Sequence, residues 1–194
     1  MTTIRLSDGI VKDDVLVVGL ASKSAKGSLQ IESGDLALDT KSLLETLSDL
    51  GATGKADEII KVPGTSTRLL VFTGLGKSSA KYENEVLRRA AGAAARALAG
   101  NSSATFSLPA KDKNAIRAIG EGAALGSYAF NIFKGSTKNA QKTPLKTITI
   151  HTVLASVAEV KNEVKSAEII GQYTALVRDL INTPPSHLTP ESFC

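Results

Sequence analysis

The segment LLVFTGLGKSSAKYENEVLRRAAGAAARALAGNSSATFSL, residues 69–108, decides the fold class. Residues 69–73 form a continuous apolar run, the pattern of a strand covered on both faces. Residues 82–99 then read as a helix. Glu83 and Glu85 suit the positive end of its dipole, and Gly100-Asn101 stops it. Residues 104–108 return to strand character. Strand, helix and strand in succession predict an α/β domain with a largely parallel or mixed sheet flanked by helices.

The same alternation extends in both directions. Strands are predicted at residues 15–20, 58–62 and 146–152. A helix over residues 41–50 carries Leu43, Leu47 and Leu50 on one face and ends at Gly51. A third helix, over residues 112–133, contains Gly120, Gly122 and Gly126. Each interior glycine costs about 1 kcal/mol relative to alanine, so a compensating contact is required. Ala118, Gly122, Gly126 and Ala129 recur at helical spacing, which predicts a small-residue face that another element approaches closely. The fourth helix, residues 157–181, is the longest and reads as a connecting or docking helix. Val157, Val160, Val164, Ala167, Ile170, Tyr173, Val177 and Leu180 line one side of it. Asn182-Thr183-Pro184-Pro185 ends it. Beyond, Leu188-Thr189-Pro190-Glu191 has the cap, proline and acid of a new helix start, which predicts further chain after Cys194. Residues 134–144 form a polar loop.

Composition narrows the functional classes. Hydrophobic residues are 42% and charged residues 22%, values of a folded globular chain rather than a disordered one. Aromatics are only 4%, with no tryptophan, so stacking platforms for single-stranded nucleic acid are scarce. The net charge of +4 is a mild bias toward anionic partners. The one cysteine, Cys194, allows no internal disulfide or paired-cysteine metal site. With an acidic, polar N-terminus and no membrane-length apolar run, a cytoplasmic protein without membrane partners is expected.

Among motifs, VFTGLGK, residues 71–77, reads as a strand, a glycine turn and a lysine. Backbone N–H groups at Gly74 and Gly76, with Lys77, make it an anion-site candidate. The earlier glycine of a P-loop would fall at Val71, and the third glycine of a dinucleotide motif at Ser79, so neither pattern is complete. A tight strand-to-helix turn is the commoner use of such glycines. His151 and His187 lack metal-ligand spacing and read as structural. The acid pairs Asp13-Asp14 and Asp57-Glu58 read as solvated. So do the basic cluster Lys134, Lys138, Lys142 and Lys146, and the arginines Arg88, Arg89 and Arg96.

At the C-terminal end, VRDLINTPP, residues 177–185, followed by His187-Leu188-Thr189-Pro190, resembles the junction before the catalytic domain of leucyl aminopeptidases. VFTGLGK and EGAALGSYAFNIFK, residues 121–134, resemble the N-terminal region of the same family in order and spacing. The likeness is strong from about residue 69 onward and general before it. It implies a macro-like N-terminal domain over residues 1–155, a connecting helix over 156–182, and the start of a catalytic domain at 183–194. It implies a parent peptidase that removes N-terminal amino acids from peptides with two divalent metal ions, manganese or zinc, and assembles as a homohexamer. The family's metal motifs follow the Asn-Thr-Pro-Pro junction, so no catalytic or metal residue is assigned here, and this chain alone is expected to be inactive. Its partners would be its own catalytic domain and sister subunits. DNA binding, or a nucleotide or ADP-ribose-like ligand, are the alternatives for the domain itself.

Overall fold

In the computed structural model, residues 2–9, 15–23, 28–34, 36, 38–64, 67–135 and 141–189 are described. Strand β2 (Val15–Ser22) organises them. Its side chains alternate between two cores: Val15, Val17 and Ala21 face one, and Leu16, Val18 and Leu20 the other. This is why the run is apolar throughout. One edge of β2 pairs in parallel with β5 (Leu69–Lys77). The other is shared by β6 (Ser103–Ser107), parallel, and β3 (Leu29–Glu32), antiparallel. Strands β7 (Thr147–His151) and β1 (Thr3–Ser7) extend the sheet in parallel, and β4 (Ile59–Pro63) closes the far side antiparallel to β5. The order is β1-β7-β6-β2-β5-β4 in a mixed sheet of seven strands, with β3 off that path.

Helices cover both faces. Helix α1 (Thr40–Asp49) packs Leu47 and the half-buried Leu43 on the core of Leu16, Val18, Leu20 and Phe72. Leu50, expected on the same face, is exposed just past the helix end, where Gly51 takes a φ of 72°. Helices α2 (Asn84–Ala97), α3 (Lys113–Gly126) and α4 (Ala158–Asn182) lie over the larger core on the opposite face. A buried hydrogen bond of 2.9 Å from the Thr73 hydroxyl to the Ala90 carbonyl ties α2 to β5.

Four features differ from the sequence reading. Strands β1 and β3 are additional; both are short, β1 burying only Ile4 and β3 half-buried throughout. Strand β5 runs on to Lys77, so the expected glycine turn is the end of a strand. There the register with β2 slips, Leu20 pairing with Gly74 and Ala21 with Gly76, so Leu75 is bulged out. Gly76 supplies the φ of 81° that the bulge requires. Helix α3 stops at Gly126, well short of residue 133. The Ser127 hydroxyl takes the Ala123 carbonyl at 2.8 Å, and the following side chains turn toward α4. Asp13-Asp14, Lys138 and the helix start around Pro190-Glu191 lie outside the described residues, as does Cys194.

Candidate functional site

Helix α3 is the axis on which the other two helices of that layer are mounted. On one side, a Cβ at Gly122 would lie 2.0 Å from the Arg88 carbonyl oxygen, and one at Gly126 2.3 Å from that of Gly92. The predicted small-residue face is therefore a backbone-to-backbone seam with α2. On the other side, a Cβ at Gly120 would meet Ala167 at 3.2 Å, and one at Gly171 would meet Ala124 at 2.7 Å, so glycines also seat α4. Ala129, predicted to continue the face, lies beyond the helix.

Ion pairs tie the three helices along the same line. Glu121 accepts from Arg88 Nε at 3.0 Å and from Arg117 Nε at 2.7 Å, and Arg117 reaches Glu163 at 3.0 Å. Arg88 also pairs with Glu85. Its bonds to Glu121 and Glu85 raise the Arg88 pKa against the cost of burial. Lys113 and Glu159 pair at 2.6 Å, which raises the lysine and lowers the glutamate. Arg88 is thus part of a structural network rather than a purely solvated face.

Helix α4 is docked only in part. Val160, Val164 and Ala167 are buried. In the distal half Tyr173 is 65% exposed, Leu176 51%, Val177 53% and Ile181 77%. These positions and Ile169 fall on one stripe at helical spacing. The end of the helix is held by residues 128–135. The Tyr128 hydroxyl donates to Asp179 at 2.9 Å and accepts from the Asn182 amide at 3.2 Å, and the Arg178 guanidinium lies 5.2 Å from the Tyr128 ring centre. Burial first, and the Asp179 carboxylate after it, hold the Tyr128 phenol above its ordinary pKa against the opposing Asn182 bond. Phe133 stacks edge-on against His187 at 4.8 Å, and Pro184 accepts turn hydrogen bonds from His187 and Leu188. Ile132 and Phe133 remain exposed beside this exit. The family-like strings at residues 121–134 and 177–188 therefore meet in space.

The remaining sequence candidates are placed as follows. The Gly74 N–H donates to the Glu58 carbonyl and the Gly76 N–H to the Gly54 carbonyl, both at 2.8 Å. A Cβ at Gly74 would sit 1.7 Å from the Lys55 carbonyl oxygen. These two glycines serve a bulge and a close approach, and their N–H groups are engaged within the protein; Lys77 is exposed at the strand end. His151 is buried, with its Nδ1 3.2 Å from the Ser107 hydroxyl, which itself donates to the Ser33 carbonyl. Asp57 pairs with Arg89, and Glu58 accepts from the N–H groups of Thr53 and Gly54. Lys134 lies 3.3 Å from the Gln141 side chain. Among the described residues no three His, Cys, Asp or Glu side chains are grouped so as to hold a metal ion. No helix among them is long and apolar enough to cross a membrane.

Residues 17–137 match the model of the cytosol aminopeptidase family, N-terminal domain. The chain belongs to the cytosol aminopeptidase family. It is 38% identical to a probable cytosol aminopeptidase of Streptomyces avermitilis over 214 positions, which take in 100% of this chain and 41% of that protein. A probable cytosol aminopeptidase of Rhodococcus jostii is 36% identical over 93% of this chain and 36% of its own length. The chain thus spans about two fifths of the length of these family members. A tomato leucine aminopeptidase variant shares the fold with a TM-score of 0.78 at 21% identity, over 100% of this chain and 40% of that one. The bottromycin maturation enzyme BotP, solved in complex with Mn, gives 0.67 at 22% identity over 93% of this chain and 34% of its own.

Proposed function

We propose that this chain is the non-catalytic N-terminal domain of a cytoplasmic metal-dependent aminopeptidase, and that the distal half of α4 is where the rest of that protein docks. In this reading residues 1–155 form the domain body, 156–182 the connecting helix and 183–194 the approach to the catalytic part. That part carries two divalent metal ions, manganese or zinc, and removes N-terminal amino acids from peptides by attack of metal-activated water. The observation that carries the proposal is the apolar stripe of Tyr173, Leu176, Val177 and Ile181 on a helix whose first half is firmly seated. Large apolar side chains gathered at one end of a helix mark a surface that another body covers. The role of the domain is then to hold the oligomer, a homohexamer, together and to shape access of peptides to the metals.

The test is to assay this chain beside the longer protein from the same gene on a leucine-derived chromogenic substrate with Mn²⁺ or Zn²⁺. Activity in the longer protein alone is the expected result. Substituting Leu176→Ser in the longer protein should weaken its assembly and lower its activity. Activity in this chain by itself would sink the proposal.

A further inference from the structure

A groove of about 710 Å³ opens where α2, α3, β4 and the end of α4 meet, and its charge is one-sided. Arg88, Arg89, Arg96 and Arg178 line it, against the one carboxylate of Asp57. The arrangement follows from the sequence of α2. Arg88, Gly92 and Arg96 repeat at i, i+4 and i+8, which sets two guanidinium groups on either side of a residue without a side chain. Opposite, Gly122 and Gly126 keep the floor at backbone level, and Arg178 closes the far wall.

The four cations are not equally engaged. Arg88 is held by Glu85 and Glu121, and Arg89 by Asp57. Arg178 lies over Tyr128 and makes one long bond, 3.5 Å, to the Leu125 carbonyl. Arg96 has no carboxylate partner among the described residues. Two guanidinium forks are therefore pinned in place, and two retain N–H groups pointed at no acid. A planar fork of donors matches the oxygens of a phosphate better than a point charge does, and several around one anion give geometric selection as well as affinity.

We propose that this groove binds a small, multiply charged phosphate-type oxyanion, with Arg96 and Arg178 as its principal ligands and Arg88 and Arg89 as a fixed positive wall. The proposal does not depend on the aminopeptidase reading.

Inorganic triphosphate is the probe, added to the 194-residue chain while the melting temperature is followed and the affinity measured by calorimetry. Saturable binding that raises the melting temperature is expected. Exchanging Arg96→Gln and Arg178→Gln together should weaken it by about tenfold or more. Exchanging Lys161→Gln and Lys165→Gln, exposed lysines on α4 outside the groove, removes the same charge and should change it by less than about twofold. Circular dichroism of both variants keeps misfolding from imitating a loss of binding. Equal affinity for a nucleoside triphosphate would assign recognition to the phosphates alone, and a tenfold gain would add a nucleoside to the ligand. The proposal is overturned by absence of saturable binding at millimolar triphosphate, by equal losses in the two double variants, or by duplex DNA binding that triphosphate does not compete.

Discussion

Helix α3 touches α2 through bare backbone, while the distal half of α4 presents large apolar side chains to solvent. The two regions carry similar sequence signals, small or apolar residues recurring at helical spacing. In the seam the signal has its answer within the chain: Gly122 and Gly126 abut the carbonyls of Arg88 and Gly92, and no other residue fits there. Along α4 apolar residues continue past Ala167, but Tyr173, Leu176, Val177 and Ile181 stand on a face turned away from Val160, Val164 and Ala167 and are exposed. A periodic face states that something will be covered. It does not state by what, and the partner has to be found in the fold or outside it.

The seam is the easier half to break. Gly122→Ala places a methyl 2.0 Å from a carbonyl oxygen of another helix, where no side chain can move aside. We expect a loss of about 3 kcal/mol, the upper part of the range for overpacking. Urea denaturation of the chain measures it, and a variant as stable as the parent would show that the helices are not in backbone contact. Glu121→Gln attacks the same seam through its charges. Glu121 is 8% exposed and serves both Arg88 and Arg117, so removing its charge should cost about 2 kcal/mol, reduced by the partial exposure of the arginines. A double-mutant cycle with Arg117→Gln checks that the loss is shared between the two side chains.

Much of the architecture is legible in the residues. The doubly covered strands β2 and β5 open as continuous apolar runs, β6 and β7 alternate polar with apolar residues, and α1 and α2 stop at the glycines just beyond them. Strands β1 and β3 are not legible, because Thr3–Ser7 and Leu29–Glu32 are short, the first burying only Ile4 and the second half-buried throughout, with no long pattern to read. The length of α3 misleads for another reason. Tyr128, Phe130 and Phe133 prolong the apolar character, but the Tyr128 hydroxyl and the Phe133 ring find their partners at the end of α4 and in the Pro-Pro turn. Gly74 and Gly76 are ambiguous in the sequence for a related reason. A bulge and a close backbone approach use the same residue type as a ligand loop, and only the carbonyls of Lys55, Glu58 and Gly54 distinguish them. The arginine groove was invisible because Arg178 lies far in sequence from the α2 arginines.

Asp112 gives a smaller and pH-dependent effect at the start of α3. It accepts the Ala115 N–H at 2.9 Å and pairs with Lys81, and those bonds, the backbone one first, hold its carboxyl below the usual aspartate range. A group with a lowered folded pKa stabilises above its unfolded pKa and loses that contribution as pH falls through the folded value. Asp112→Ala should cost about 1 kcal/mol at neutral pH, typical of a lost helix cap. Asp112→Asn keeps a capping oxygen but not the charge. Its deficit should therefore shrink as the solution is acidified below the usual aspartate range, and vanish once Asp112 in the parent is protonated. Melting temperatures across that range measure the closing gap; a gap that widens in acid would reverse the assignment.

The smallest expected effect is the one that bears most on the comparison. Leu176→Ser lies in the exposed half of α4 and should change the stability of this chain by no more than about 0.5 kcal/mol, as surface substitutions do. Val164→Ala, on the same helix but in the seated half, removes buried methyl groups and should cost about 2 kcal/mol. Equal losses would mean that Leu176 is covered within the chain, and the contrast between the two halves would collapse. A neutral Leu176→Ser that nonetheless weakens assembly of the longer protein would locate the missing contact. Burial lost in the first half of α4 acts on folding, and apolar surface lost in the second acts on association.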